Sequence, residues 1–286
     1  MGLILCAPFR RPMPIAAEHL QRFDTITLKE MDGVKLLDRI DTKYVFGEAL
    51  LPALYEVMQK EYRVLEVNGR RGTDYRTLYY DTPNIRHFKD HHQGLMLRSK
   101  VRYREYVGSD LYYLEVKQKT GRGRTNKVRM PVSGIPLDMP EKHLDFVRQV
   151  CKVKEPHIAQ LWNSFKRTTF VHRTRPERLT VDTGLRFERN GQMAVMGAAC
   201  VVELKQEHDA TDSPFDRLMR GFGQHPTSMS KYCVGMWKLV PEMKFDAFLD
   251  AFHELARLQP AAMAISSRGV GPVTGSNAGD TKGALA

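Results

Sequence analysis

"RSKVRYREY", residues 98–106, alternates with the period of a β-strand. Arg98, Lys100, Arg102 and Arg104 share one side of the backbone; Ser99, Val101, Tyr103 and Glu105 share the other. Two cations about 6 Å apart repel by roughly 3 kcal/mol at an effective dielectric near 20. A column of such cations asks for something dense and anionic opposite it.

Neighbouring segments repeat the pattern. In "RIDTKYVF" (39–46) Arg39, Asp41 and Lys43 share a face, against Ile40, Tyr44 and Phe46. "LYYLEVKQKT" (111–120) sets Glu115, Lys117 and Lys119 against Leu114 and Val116, and "TNKVRMPV" (125–132) sets Lys127 and Arg129 against Val128 and Met130. "RLTVDTGLRFER" (178–189) places Arg178, Thr180 and Asp182 opposite Leu179 and Val181. "AACVVELKQE" (198–207) places Val201, Glu203, Lys205 and Glu207 opposite Val202 and Leu204. Further strands are expected at 62–68 and 75–82, and helices at 48–60, 141–151, 156–166, 214–221 and 244–258. "DHHQ" (90–93) reads as a polar loop.

A solvated sheet face normally mixes signs, because like charges directly opposite are unfavourable. Here adjacent strands bring cations to one side. If the sheet curls into an antiparallel barrel, the apolar faces turn outward beneath the helices and the charged faces line an interior tunnel, which needs an anion. The few carboxylates among the cations, Glu203 and Glu115 above all, suit a divalent metal that bridges phosphate oxygens. A tunnel of Arg and Lys with a metal-binding glutamate describes a triphosphate or polyphosphate site.

Composition agrees and sets limits. The chain has 286 residues, with 44 Lys and Arg against 33 Asp and Glu, a formal charge of +11. That excess implies an anionic partner without choosing among nucleic acid, membrane surface and phosphates. Cys6, Cys151, Cys200 and Cys233 lie far apart, with no zinc-ligand spacing, so free thiols in a reducing cytoplasm are expected. No apolar run is long enough to span a bilayer. Residues 1–21 read as an N-terminal extension, 22–258 as one domain, and the Gly-, Ala- and Ser-rich 259–286 as a disordered tail.

With these columns in place, the sequence resembles the triphosphate tunnel metalloenzyme superfamily, and within it the VTC domain branch of polyphosphate polymerases. The matching pieces are "DTKYVF" (Lys43), "LYYDTP" (78–83), "KVRYREY" (Arg102, Arg104), "LEVKQKTGRGRTNKVR" (Lys117, Lys127, Arg129), "FKRTTF" (Arg167), "RLTVDTGLRF" (Arg178), "VVELK" (Glu203) and "SMSKYCVG" (Lys231). The resemblance implies an α+β fold built on an antiparallel eight-stranded β-barrel, the triphosphate tunnel, with helices packed outside. It implies transfer of the γ-phosphate of ATP to a growing polyphosphate chain, a metal-dependent phosphotransferase reaction. Lys43, Arg102, Arg104, Lys117, Arg178 and Lys231 would be the catalytic cations. Arg39, Arg98, Lys100, Lys119, Lys127, Arg129, Arg167 and Lys205 would complete the phosphate site. Glu203 would hold Mn²⁺ or Mg²⁺, with Glu115 and Asp41 as further candidate ligands.

Hydrolytic members of that superfamily open with two glutamates in an E-x-E-x-K strand, where this chain has "RIDTK". That departure favours a polymerase over a triphosphate or polyphosphate hydrolase, and the glutamates favour either over a non-catalytic polyphosphate- or RNA-binding module. The expected partners are ATP and polyphosphate, not nucleic acid. The chain is not expected to enter a membrane itself, which leaves any translocation to a membrane partner.

Overall fold

The computed structural model describes residues 17–32, 39–120, 125–207 and 212–240. The strands are β1 (Thr25–Ile26), β2 (Arg39–Gly47), β3 (Tyr62–Leu65), β4 (Thr73–Asp81), β5 (Arg98–Tyr106), β6 (Leu111–Lys119), β7 (Thr125–Val132), β8 (Ile158–His172), β9 (Glu177–Arg189), β10 (Gln192–Val195) and β11 (Ala199–Glu207). The helices are α1 (Ala17–Leu20), α2 (Leu28–Asp32), α3 (Leu51–Met58), α4 (Arg86–His92), α5 (Glu141–Cys151), α6 (Pro214–Gly221) and α7 (Lys231–Leu239). The expected helix at 244–258, the tail at 259–286 and most of the N-terminal extension fall outside the described residues.

Eight strands run in the spatial order β2-β11-β9-β8-β4-β5-β6-β7. Every neighbouring pair on that path is antiparallel. The short strands decorate it: β1 pairs with β3, β3 with β8, and β10 with β9. A closed barrel was expected, but β7 and β2 do not pair among the described residues, so the sheet is an open curl. The edge of β2 shows one reason. The Glu48 N–H bonds the Ala198 carbonyl (2.5 Å), so by antiparallel alternation Lys43 turns its own backbone groups away from β11. There the Lys43 carbonyl accepts from the Thr227 N–H at 2.7 Å. The segment leading into α7 thus takes a position on β2 that closure by β7 would need.

The outer surface follows the alternation read from sequence. Tyr44, Phe46, Leu179, Val181, Val202 and Leu204 point out and pack with α3 and α6 through Leu54, Tyr55, Phe215 and Met219. Val101, Tyr103, Leu114 and Val116 point out on the other half, beneath Val147 and Cys151 of α5. Each buried side chain of this size contributes about 1.5–3 kcal/mol relative to exposure, so these two clusters stabilise the curl from outside.

A third cluster lies on the inner face. Val45, Leu161, Phe165, Leu185, Phe187 and Val201 meet Tyr232, Cys233, Met236 and Leu239 of α7. One half of the concave face is therefore filled by a helix, where a tunnel lined throughout by charge was expected. Ser230 starts that helix, its hydroxyl accepting from the Cys233 N–H at 3.4 Å. Gly235 lets it lie flat on the sheet: a Cβ there would fall 2.5 Å from Phe187 Cδ1 and closer still to Leu161 Cδ2.

Two local assignments differ from the sequence reading. Residues 158–172 form the longest strand, not a helix over 156–166. The apolar spacing around Leu161 and Phe165 fits either period, and the β-branched run after Arg167 decides it. "DHHQ" ends helix α4 rather than forming a loop. The Asp81 carboxylate accepts from the backbone N–H groups of Thr82 (2.7 Å), His87 (2.8 Å) and Phe88 (2.9 Å), which fixes the start of that helix.

Candidate functional site

The inner face of β5, β6, β7, β2, β11 and β9 carries the charged columns, and cross-strand register brings them together. Arg102 stands opposite Glu115, and Glu115 opposite Arg129; Lys117 lies between Lys100 and Lys127. Lys43 stands opposite Glu203, and Asp41 opposite Lys205. Glu203 in turn faces Thr180, and Lys205 faces Arg178. The Lys117 ammonium lies 3.9 Å from Asp41, so the charges of β6 and β2 meet across the open seam.

The carboxylates are each held by cations. Glu115, only 1% exposed, takes Arg102 at 2.7 Å, Arg104 at 3.6 Å and Lys127 in direct contact. Burial would raise its pKa, but Arg102, Arg104 and Lys127 outweigh that and hold it well below the carboxylate range. Asp182 accepts from Arg167 through both oxygens, at 2.6 and 2.7 Å, and from Lys231 at 2.5 Å. Burial opposes ionisation there too, yet Arg167 and Lys231 bring its pKa down to about 2. Glu203 contacts Lys205 and lies 3.8 Å from Lys43. Against burial, Lys205, Lys43 and Arg167 keep it ionised far below its usual range.

Positive charge remains after these pairings. Lys100 has no carboxylate within ion-pair distance among the described residues, although it sits amid Lys117, Lys43 and Arg102. Burial, then those cations, lower its pKa to about 7. Burial likewise lowers Lys127 and Lys205 to about 8, even with Glu115 and Glu203 beside them. Among the described residues Arg129 finds a ring and no carboxylate, its guanidinium 4.8 Å from the Tyr113 centroid. Ammonium groups drawn partly out of water and packed this closely are costly until an anion joins them.

The structure thus gathers Lys43, Lys100, Arg102, Arg104, Lys117, Lys127, Arg129, Arg167, Lys205, Lys231, Asp41, Glu115 and Glu203 around one face. Arg178 enters it by register, opposite Lys205. Arg98 and Lys119 pair with each other at the rim of β5 and β6. The backbone of Arg39 begins β2, and its side chain lies outside the described residues.

Three groups gained no role from sequence. Asp182 stood in the Arg178 column, and its position there was the signal. Tyr232 donates to Asp81 Oδ2 at 2.8 Å, tying α7 to the "DTP" turn. His91 of α4 is pressed toward Lys100, Arg98 and Lys117; burial and those cations push its pKa far down and keep it neutral. Only a helix at 86–92 would have pointed it there.

Among the described residues, no three His, Cys, Asp or Glu side chains converge on one metal position. The three cysteines described are free and buried. No helix among the described residues is long and apolar enough to cross a membrane.

A family model for the VTC domain matches residues 38–240. No curated protein matches the sequence. Solved structures of similar shape include a Bacillus halodurans protein named as a candidate adenylate cyclase, 13% identical, covering 68% of this chain and 94% of that one at a TM-score of 0.44. Another, from Hippeastrum, is described as revealing a dominant triphosphatase activity; it is 13% identical over 70% of this chain and 96% of its own, at 0.43. A third, from Pyrococcus horikoshii OT3, is 11% identical over 70% and 99%, also at 0.43. The assignment rests on the family model and not on these distant likenesses.

Proposed function

The chain belongs to the VTC domain family, and from that premise we propose that it is a metal-dependent polyphosphate polymerase that moves the γ-phosphate of ATP onto a polyphosphate end. The observation that carries the reading is the surplus of cations on the concave face, with Lys100 half-buried among Lys43, Arg102 and Lys117 and without a carboxylate partner among the described residues. A phosphate chain supplies closely spaced negative charge of the kind these columns lack. Arg102, Arg104 and Arg129 offer forked donors for bidentate grip, while Lys43, Lys100 and Lys117 offer movable point charges.

The attacking group in such a transfer is already an anionic phosphate oxygen, so no strong general base is required. The work left to the protein is alignment and neutralisation of charge on the moving phosphoryl group. Arg167 is fixed for that purpose, since Asp182 holds its guanidinium by two hydrogen bonds. Lys231 is fixed by the same carboxylate from the first turn of α7.

The carboxylates fit a hard cation bound together with phosphate. Glu203 is ionised, and Asp41 lies diagonally across from it on the adjoining strand. Two carboxylates with the remaining positions left to phosphate and water is a usual arrangement for Mg²⁺, and Mn²⁺ accepts the same oxygen donors. Glu115 is the least suited of the three candidates, because Arg102, Arg104 and Lys127 already occupy it. When bound, the ion would screen charge between phosphates. Glu203 and Asp41 would hold it, and the surrounding lysines would orient the chain.

Incubation with ATP and Mn²⁺, followed by polyphosphate staining of a gel, tests this reading. A ladder supports the polymerase. Free phosphate without a ladder makes the protein a hydrolase, and salt-sensitive binding without turnover makes it a binding module.

A further inference from the structure

The loop between α4 and β5 exposes three large apolar residues in a row: Leu95 at 42%, Met96 at 53% and Leu97 at 62%. Single exposed apolar side chains are ordinary on protein surfaces, but three consecutive ones on one loop are not. Their surroundings are basic. Lys89 is exposed on α4, one turn before the loop. Arg98 follows the loop directly, its guanidinium donating to the Leu95 carbonyl at 2.6 Å, and its cross-strand partner is Lys119. Ser99 hydrogen-bonds the Cys151 sulfur at the end of α5, which brings the exposed Lys152 and Lys154 toward the same edge.

None of these five cations has an ion-pair partner among the described residues. The acidic groups nearby are otherwise placed: Glu155 pairs with Arg86 at 3.1 Å, and Asp90 is half-buried. An apolar tip inside a collar of unpaired cations is the combination that binds an anionic bilayer surface, the tip entering the headgroup region and the collar meeting lipid charge. We propose that this edge docks on an anionic lipid surface through Leu95, Met96 and Leu97. Docking there would turn the rim of the charged face, where the Arg98 and Lys100 column begins, toward the bilayer.

The test is sedimentation of the full chain with vesicles of equal parts phosphatidylcholine and phosphatidylserine, beside vesicles of phosphatidylcholine alone. The chain is expected to sediment with the anionic vesicles only. Replacing Leu95→Ser, Met96→Ser and Leu97→Ser together should weaken that binding by about tenfold or more, from lost apolar insertion. Lys152→Ala with Lys154→Ala should weaken it less and reduce its dependence on salt. Tryptophan emission from Met96→Trp should shift to the blue on anionic vesicles, a readout that needs no loss of function. Failure to sediment, equal binding by the triple serine variant, or no emission shift would overturn the proposal. So would a concentration-dependent dimer that the triple variant abolishes without any vesicle binding. Turnover of ATP in solution should be the same in the triple variant and the parent, so this test stands or falls apart from the polymerase reading.

Discussion

The same strands build two unlike halves of the concave face. Along β2 the inward positions pass from Asp41 and Lys43 to Val45; along β11 they pass from Lys205 and Glu203 to Val201; along β8 they pass from Arg167 to Phe165 and Leu161. Where the apolar residues begin, α7 lies down on them and the half is complete. Where the charged residues begin, carboxylates answer only some of the cations, and Lys100 stays half-buried without one among the described residues. Lys231 stands at the boundary, first residue of the helix and ion-paired to Asp182. One half is finished by the chain itself, and the other is finished by what it binds. Substitutions in the two halves should therefore fail in different ways.

The largest effect should come from the charged half. Glu203→Gln keeps the shape of the side chain and removes its charge from among Lys205, Lys43 and Arg167. Turnover should drop by about two to three orders of magnitude, as for loss of a principal electrostatic group. Polyphosphate binding, measured by fluorescence anisotropy, should persist, while the melting temperature of the free protein should fall, because Lys205 and Lys43 lose their carboxylate partner. Retained turnover would remove Glu203 from the metal site.

The apolar half should respond in stability. Gly235→Ala places a methyl against Phe187 and Leu161, and α7 must rise from the sheet to admit it. Overpacking of this kind costs about 1–3 kcal/mol. Chemical denaturation should show that loss, with polyphosphate affinity falling only so far as Lys231 is displaced. An unchanged denaturation midpoint would mean that α7 does not sit as closely as described.

A substitution between these extremes sharpens the contrast. Lys100→Met removes a half-buried charge that has no carboxylate partner among the described residues and keeps most of the apolar stem. Without ligand, the variant should be as stable as the parent or more so, because an unbalanced charge has gone. Its affinity for polyphosphate should fall by about tenfold to a hundredfold, the range of one charge-assisted hydrogen bond. A variant both less stable and equally tight in binding would assign Lys100 to structure instead.

The two halves also differed in how far the sequence disclosed them. Period-two alternation identified the charged columns of β2, β5, β6, β7 and β11, because each strand is short, regular and one-sided. The apolar half was hidden by irregularity. Between Ser164 and Lys166 the β8–β9 ladder shifts register around Gly184, whose φ of +62° suits a residue without a side chain. Strict alternation would turn Leu185 outward with Leu179 and Val181; the shift turns it inward, onto α7. Residues 231–239 carry no charge pattern that separates a helix from a strand, and Lys231 was legible only as one more cation. Asp182 lay in plain view in its column, opposite Arg167 across the β8–β9 ladder, but its service to Lys231 depends on where α7 begins, which local sequence does not state.

Titration gives the mildest prediction, and it again separates the halves. Lys100 has its pKa lowered to about 7 by burial and by Lys117, Lys43 and Arg102, with His91 neutral beside it. Lys127 and Lys205 follow at about 8. A bound phosphate favours the protonated amines, so each of these pKa values rises on binding and protons are taken up from solution. Affinity for polyphosphate should be full below about 7 and should weaken as pH rises through about 8, where the free protein has lost those protons. Calorimetry in buffers of different ionisation enthalpy would register the uptake directly. Lys100→Met should shrink it, whereas Gly235→Ala, acting in the apolar half, should leave it alone. Proton release on binding, or an affinity flat across this range, would mean that Lys100, Lys127 and Lys205 are not the groups that meet the phosphate chain.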